Sequence, residues 1–514
     1  MLAPPPSKTP LTSIHQPAYG PPAPRSRGQL RNGVAGGYTK LYAMTAALCV
    51  ALDLALPGEI GLVLASALYL VCAMWFGWHE YQVGQPQVNP IVTYQLWQAA
   101  TLGIAPLYRV LRHGASDAPF GDYRLPLSQV AYGHAIMVVG ACALYVGMKH
   151  FQPRPPIRQT SMARPPSVMA LGFAVVAGGA ISFFRDAVKG YAGSSVAQFS
   201  LLPMAVLCII GLNPPKLIRR TKGAQLAILI VGSLFLFLVN ARSDSKMDLM
   251  FSFIPLIWWV VRSKRAALLV PAGLGFSMLY VLAISPLVMS LRNKMGKDDQ
   301  QLIRALAPSD DVQVFGILQN EFLNDPAAYA QAGLDTFMGR LMDPTAAGMV
   351  ARLADERGFL KGQSFTYIPT MLVPRFLWRD KPIVDRGRQF TTALGWASDA
   401  STATTSTGET AAGELYWNFG WLGIVIGMYL LGAAVTGLWW RAAGTEPGRG
   451  VMEMTAYLGV TLSFIVGTGG TASSLALACL FAGIFWRVLI YVRNTAMRRK
   501  HAKSPARMRW QGAA

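Results

Sequence analysis

AQLAILIVGSLFLFLVNA, residues 224–241, runs without a charged side chain. About 20 such residues are enough to cross a hydrocarbon layer roughly 30 Å thick. No water is available there, so the backbone must satisfy itself, which only a helix or a closed barrel achieves. A barrel strand alternates apolar and polar positions; this stretch does not alternate, so it reads as a membrane helix. The same reading extends along the chain. Of the 514 residues 53% are apolar and only 14% charged, against about 25% charged in a soluble domain.

Outward from that stretch, about twelve spans of this kind are expected. They lie near 41–56, 60–78, 91–110, 127–148, 168–184, 196–212, 224–241, 247–261, 266–289, 419–440, 452–469 and 472–492. Residues 1–40 form a Pro-rich tail, expected to be disordered. Residues 41–289 hold the first nine spans and 419–492 the last three, before a basic tail at 493–514. Pro57–Glu59 and Gly467–Thr471 read as tight helical hairpins. The fold class is therefore an all-α integral membrane protein with one large loop, 290–418, between spans nine and ten.

The net charge of +21 does not point to nucleic acid. The positives sit in short loops and at the ends of apolar runs, where they orient spans toward the cytoplasm. Arg154, Arg158, Arg164, Lys216, Arg219, Arg220, Arg262, Lys264 and Arg265 fall in alternate loops. That pattern places both termini inside and the 290–418 loop outside. Acidic and basic residues nearly balance in this loop, and long loops cross largely regardless of charge. Its aromatic content reads as folded, with amphipathic helices near 310–323 and 344–356. The five cysteines lie in apolar segments without a CxxC pair, which suggests neither disulfides nor zinc. HExxH, a DxD in the loop and a Walker loop are all absent, so neither a bound metal nor ATP use is suggested, and no cofactor is expected.

Two stretches carry the candidate chemistry. YIPTMLVPRFLWRDKP, residues 367–382, sets Arg375, Arg379 and Lys381 beside Pro374 and Pro382. A stiff basic cluster suits a diphosphate, because Arg offers a planar donor fork and Lys a point charge. Composition alone favours the other reading of these residues, as ordinary partners of Asp380 and Asp385 in a solvated loop. GETAAGELYWNFGWLG, residues 408–423, sets Glu409 and Glu414 before the tenth span. Each is a candidate general base or a solvated carboxylate in an aromatic belt. Glu414 ranks first, because a position one turn before the span puts it near lipid headgroups. Arg340 and Asp343 in TFMGRLMDP, residues 336–344, would be neighbours on one helix. Arg242, in a short turn with Asp244 and Lys246, completes the candidate anion-binding set. Asp53 stands close to the outer end of the first span and is expected at the interface.

Around Arg340, Pro374–Pro382 and Gly413–Gly423, and in its arrangement of many spans with one large late loop, the chain resembles the bacterial oligosaccharide repeat-unit polymerases of the O-antigen type. The resemblance implies polymerisation of undecaprenyl-diphosphate-linked oligosaccharides at the periplasmic face of the inner membrane, for a surface polysaccharide. It implies a metal-independent glycosyltransferase that draws its energy from the glycosyl-diphosphate bond. Basic residues would stabilise the leaving diphosphate. Membrane lipids, a flippase and a chain-length regulator are the implied partners. The related O-antigen ligases rely on a His in this loop. Residues 290–418 contain none, which favours polymerase over ligase.

A transporter or flippase of lipid-linked glycan is the main competing class. It would place charge between spans, whereas the sequence reads as span interiors nearly free of charge. A non-catalytic partner in polysaccharide export is a third reading.

Overall fold

The protein is described from a computed structural model. It describes residues 31–56, 58–83, 90–114, 125–151, 168–183, 201–212, 223–240, 252–262, 325–373, 377–378, 386–399, 408–443 and 471–477, with isolated positions elsewhere. Span nine, the helix near 310–323, both tails beyond these limits, and Arg242, Arg375, Arg379 and Lys381 lie outside the described residues.

Among the described residues the protein is helical, without strands. The helices are α1 (Arg31–Ala55), α2 (Gly58–Val83), α3 (Pro90–Gln98), α4 (Ala105–His113), α5 (Leu127–His150), α6 (Val168–Phe183), α7 (Leu202–Leu212), α8 (Ala224–Asn240) and α9 (Ile254–Arg262). Then follow α10 (Pro326–Leu341), α11 (Asp343–Arg357), α12 (Tyr367–Leu372), α13 (Arg386–Ala393) and α14 (Ala411–Ala443). A π-helical turn, Ala99–Ile104, joins α3 to α4. Among the described residues three helical stretches are long and apolar enough to cross a membrane: Gly58–Glu80, Leu127–His150 and Ala411–Gly437. Shorter apolar helices occupy Leu171–Ile181, Leu202–Gly211 and Ala224–Leu238.

The first helix begins at Arg31, well inside the tail expected to be disordered. Tyr38 and Tyr42 explain the extension. The Tyr38 ring lies 4.2 Å from that of His79, and Tyr42 is buried against Tyr145 and Phe76. This aromatic packing outweighs the weak helix preference of the glycines around them.

α5 is the centre of one core. Its Gly133, Gly140 and Gly147 recur every seven residues and form one small-residue face. A Cβ at Gly133 would strike Pro344 O and the backbone of Gly348 in α11. One at Gly140 would lie 2.7 Å from Ala412 Cβ, and one at Gly147 would strike Tyr429 O. Backbones approach this closely only where side chains are absent, which is how helices associate in a medium that gives no hydrophobic drive. α1 and α2 cover another face of α5. α6 to α9 form a second apolar cluster of their own, around Leu207, Cys208 and Leu229.

The described residues of the segment 290–418 pack onto the helices that precede it. α11 and the residues around Glu414 belong to the same buried core as α1, α2 and α5. The contacts give their course. Tyr108 and Arg112 at the end of α4 meet Asp335 of α10. The chain then reaches the level of Gly133 at Pro344, and α11 returns so that Gly348 faces Gln129. α14 is likewise two pieces, broken at Gly420 with φ 64°, ψ −154°, a conformation that favours glycine. The piece 411–419 runs back along α5, with Ala412 beside Gly140 and Tyr416 beside Tyr132. The piece 421–443 then runs parallel to α5, with Trp421 beside Tyr132, Ile424 beside Gly140 and Tyr429 beside Gly147. Leu415 packs on Gly427 across the break. Both dips enter from the α5 end that begins at Leu127. Irregular backbone at membrane depth is stable only when enclosed in protein, and these segments are enclosed.

Candidate functional site

The second dip carries a buried polar cluster. Thr410 starts its helix: its Oγ1 accepts from Gly413 N at 3.0 Å and its carbonyl accepts from Glu414 N at 2.9 Å. Thr410 does so at φ 61°, an uncommon region for a residue with a Cβ, and such strain concentrates at functional sites. Its hydroxyl lies 3.4 Å from Met137 Sδ. Met137 is ten residues into α5, so this point is about 15 Å along that helix at about 1.5 Å per residue.

Glu409 and Glu414, the two carboxylates singled out in the sequence, meet here. Both side chains are fully buried. Arg386 of α13 joins them, with Nη2 donating to Glu409 Oε1 at 2.6 Å and lying 3.7 Å from Glu414 Oε1. Its Nη1 donates to Gln389 Oε1 at 2.9 Å. Both carboxylate oxygens of Glu414 have partners. Ser473 N donates to Oε2 at 2.8 Å, and Ser473 Oγ lies 2.8 and 3.0 Å from Oε1 and Oε2. Tyr367 OH donates to Ser473 Oγ at 2.9 Å, and Thr471 Oγ1 lies 2.9 Å from it.

Glu409 differs. Its Oε2 and the Nε of Arg386 are buried without a hydrogen-bond partner. Burial pushes the Glu409 carboxyl up to about 7, with Glu414 adding to the rise and Arg386 opposing it. A carboxyl near neutrality with a free oxygen is suited to accept a proton at physiological pH. The two carboxylates thus differ in their free oxygens, a difference absent from the sequence reading, which ranked Glu414 first as a group at the headgroup level. Glu414 instead sits inside the bundle with every oxygen engaged.

The far end of the 411–419 helix is closed by the chain after α11. Leu360 N donates to Trp417 O at 2.8 Å, Lys361 N to Asn418 O at 3.2 Å, and Gly362 N to Asn418 Oδ1 at 2.9 Å. Asn418 Nδ2 donates to Ser364 Oγ at 2.8 Å and to Glu414 O at 2.7 Å. These bonds satisfy terminal carbonyls that otherwise lack partners and fix the register of Glu414.

Arg340 is near the end of α10, and Asp343 begins α11 after Met342 at φ −78°, ψ 58°. The break means that the two do not share one helix face, as their spacing suggested. Arg386, Ser473 and Tyr367 were not singled out by the sequence. Ser473 is separated from Glu414 by 59 positions, and no motif links them.

A second polar site lies between α1 and α5. Asp53 is enclosed in protein: its Oδ2 lies 2.6 Å from His134 Nδ1, with both side chains fully buried. Glu80 and Lys149 pair at 2.7 Å, and Arg109 is buried as well.

Comparison with known proteins finds no protein-family model, no curated protein and no solved structure that matches this chain.

Proposed function

We propose that the chain is a glycosyltransferase that polymerises oligosaccharide repeat units carried on undecaprenyl diphosphate. What carries this reading is the joining of Glu409, Glu414 and Arg386 in one buried cluster, next to the Gly413–Gly423 stretch that resembles such polymerases. Ionisable groups at membrane depth are costly and are functional by default. In the reaction, the acceptor hydroxyl of one lipid-linked unit attacks the anomeric carbon of the donor glycan. The bond from that carbon to the diphosphate oxygen breaks, and the diphosphate leaves with the electron pair. Glu409 takes the hydroxyl proton through its free oxygen, while Glu414 and Ser473 hold Arg386 and the helix in place. Arg386 joins Arg340, Arg375, Arg379, Lys381 and Arg242 as a candidate to offset the charge of the leaving diphosphate. Two lipids confined to one leaflet supply proximity.

The test is a strain lacking the gene, complemented with Glu409→Gln or Glu414→Gln at equal expression. Deletion should leave single repeat units on the lipid carrier. Glu409→Gln should lower polymer formation by about 10²-fold or more, since Gln cannot take up the proton. Normal chain length from Glu409→Gln removes it as the base. Normal polymer in the deletion strain removes the function.

Transport of the lipid-linked glycan is the second reading. The Asp53–His134 pair within the bundle favours it, as does the broken α14, because transporters use broken helices at mid-membrane. Under this reading the single units of the deletion strain stay on the inner leaflet, shielded from a lectin added to spheroplasts. Under the polymerase reading they are lectin-accessible.

A further inference from the structure

We propose that Asp53 and His134 form a proton-exchange site, separate from the Glu409 cluster, whose single shared proton holds α1 against α5. The bonding fixes the count of protons. His134 Nε2 lies 2.9 Å from the carbonyl oxygen of Leu102. That oxygen can only accept, so Nε2 carries a hydrogen. The carbonyl is available because its ordinary helical donor would be the residue four positions on, which is Pro106 and has no N–H. With Nε2 protonated, the 2.6 Å contact from Nδ1 to Asp53 Oδ2 is a hydrogen bond only if one further proton lies in it. That proton sits on the carboxyl or on the imidazole, and the pair is neutral either way.

Removing it leaves a carboxylate facing a bare imidazole nitrogen, two acceptors at hydrogen-bond distance. The Oδ1 of Asp53 is buried and already without a partner, so the pair has no reserve of donors. The carboxylate then needs water, which it reaches only if α1 and α5 part. Cys49 on α1 stands one turn before Asp53, and Tyr69 on α2 meets the His134 ring edge-on with centroids 6.4 Å apart. Arg109 on α4 is a buried cation of the same bundle, but the bonds of the pair run to each other and to Leu102 O. Among the described residues no cation bonds to the pair to replace the proton. The setting also suits movement, because Leu102 belongs to the π-helical turn Ala99–Ile104, and such turns mark functional positions in helices. α5 carries any displacement to the other site, since its Met137 touches Thr410 and its Tyr132 touches Tyr416.

The experiment is histidine-selective NMR of the full chain in detergent, with ¹³C at the ring Cε1 and His134 assigned by loss of its signal in His134→Gln. The His134 signal should move or exchange with a second state as pH is raised between about 5 and 9, while the protein stays folded. In Asp53→Asn the amide donates to Nδ1 and the ring is locked neutral, so that change should be lost. A wild-type His134 signal that is invariant across the folded range overturns the proposal. So does an Asp53→Asn variant that titrates as the wild type does. If Asp53→Asn fails to fold, the wild-type titration decides by itself.

Discussion

Glu409 shows what burial does to one carboxyl. Its side chain is fully enclosed, one oxygen is held by Arg386, and the other has no donor. Desolvation lifts it to about 7, whereas an unfolded Glu titrates near about 4.3. Between those values the native state holds more protons than the unfolded state, so stability falls as pH rises through the window. The contribution is fully present below the unfolded value and is lost by the time pH passes the native one. The thermal midpoint of the full chain in detergent should therefore fall between about pH 4.5 and pH 7.5. Glu409→Gln should flatten that slope, since Gln does not titrate. A slope that persists in the variant would place the titrating group elsewhere. Arg386 bears on the same point: it was passed over in the sequence because nothing in RGRQF sets it apart from its basic neighbours, and only folding brings it to the two carboxylates.

Helices were legible where hydrophobicity alone decides. α5 and α8 begin where the apolar runs at 127 and 224 begin, and the Pro57–Glu59 hairpin matches the gap between α1 and α2. The two dips were not legible, because a short apolar segment that enters and returns has the same composition as a packed loop. α11 was expected as an amphipathic helix near 344–356, yet Asp343 and the residues from Pro344 to Val350 are all buried. Its polar positions Asp343 and Thr345 face protein, while Asp355, Glu356 and Arg357 at its end are exposed. Gly420 and Gly423 were read as allowing close helix approach. Gly423 does allow it, with a Cβ there lying 2.6 Å from Leu415 O, but Gly420 breaks the helix. The contact of α5 with α11 yields a direct test. Gly133→Ala puts a methyl group into Pro344 O and Gly348 N, both backbone, so neither can move aside cheaply. It should cost about 2 kcal/mol or more, read as a lower thermal midpoint. Gly179→Ala in α6 meets nothing within 4 Å and should be neutral or slightly stabilising, as Ala favours helix. Equal midpoints for the two variants would deny the close crossing.

At the scale of the whole molecule, the contacts constrain topology more firmly than loop charges do. α5 and the 421–443 helix are parallel, so an odd number of crossings must separate them. The sequence reading puts five between spans four and ten, which meets that demand. Other pairs agree. Tyr42, early in α1, stacks on Tyr145, late in α5, while Asp53, late in α1, meets His134, early in α5. Glu80 at the end of α2 meets Lys149 at the end of α5. One end of the bundle therefore holds Leu127, the entry of both dips and α13; the other holds Lys149 and Phe151. The expectation read from the loop charges, with Lys149, Arg154 and Arg158 at or beyond it, is that the Phe151 end is the inside one. In a cysteine-free background, Trp396→Cys and Phe151→Cys offer exposed positions at the two ends, 44% and 52% accessible. An impermeant maleimide should label Trp396→Cys in intact spheroplasts, and Phe151→Cys only after permeabilisation. The reverse pattern would invert the protein and put the Glu409 cluster within reach of the cytoplasm, where a polymerase of exported glycan has no substrate. Labelling of both from one side would break the parallel arrangement of α5 and 421–443 itself.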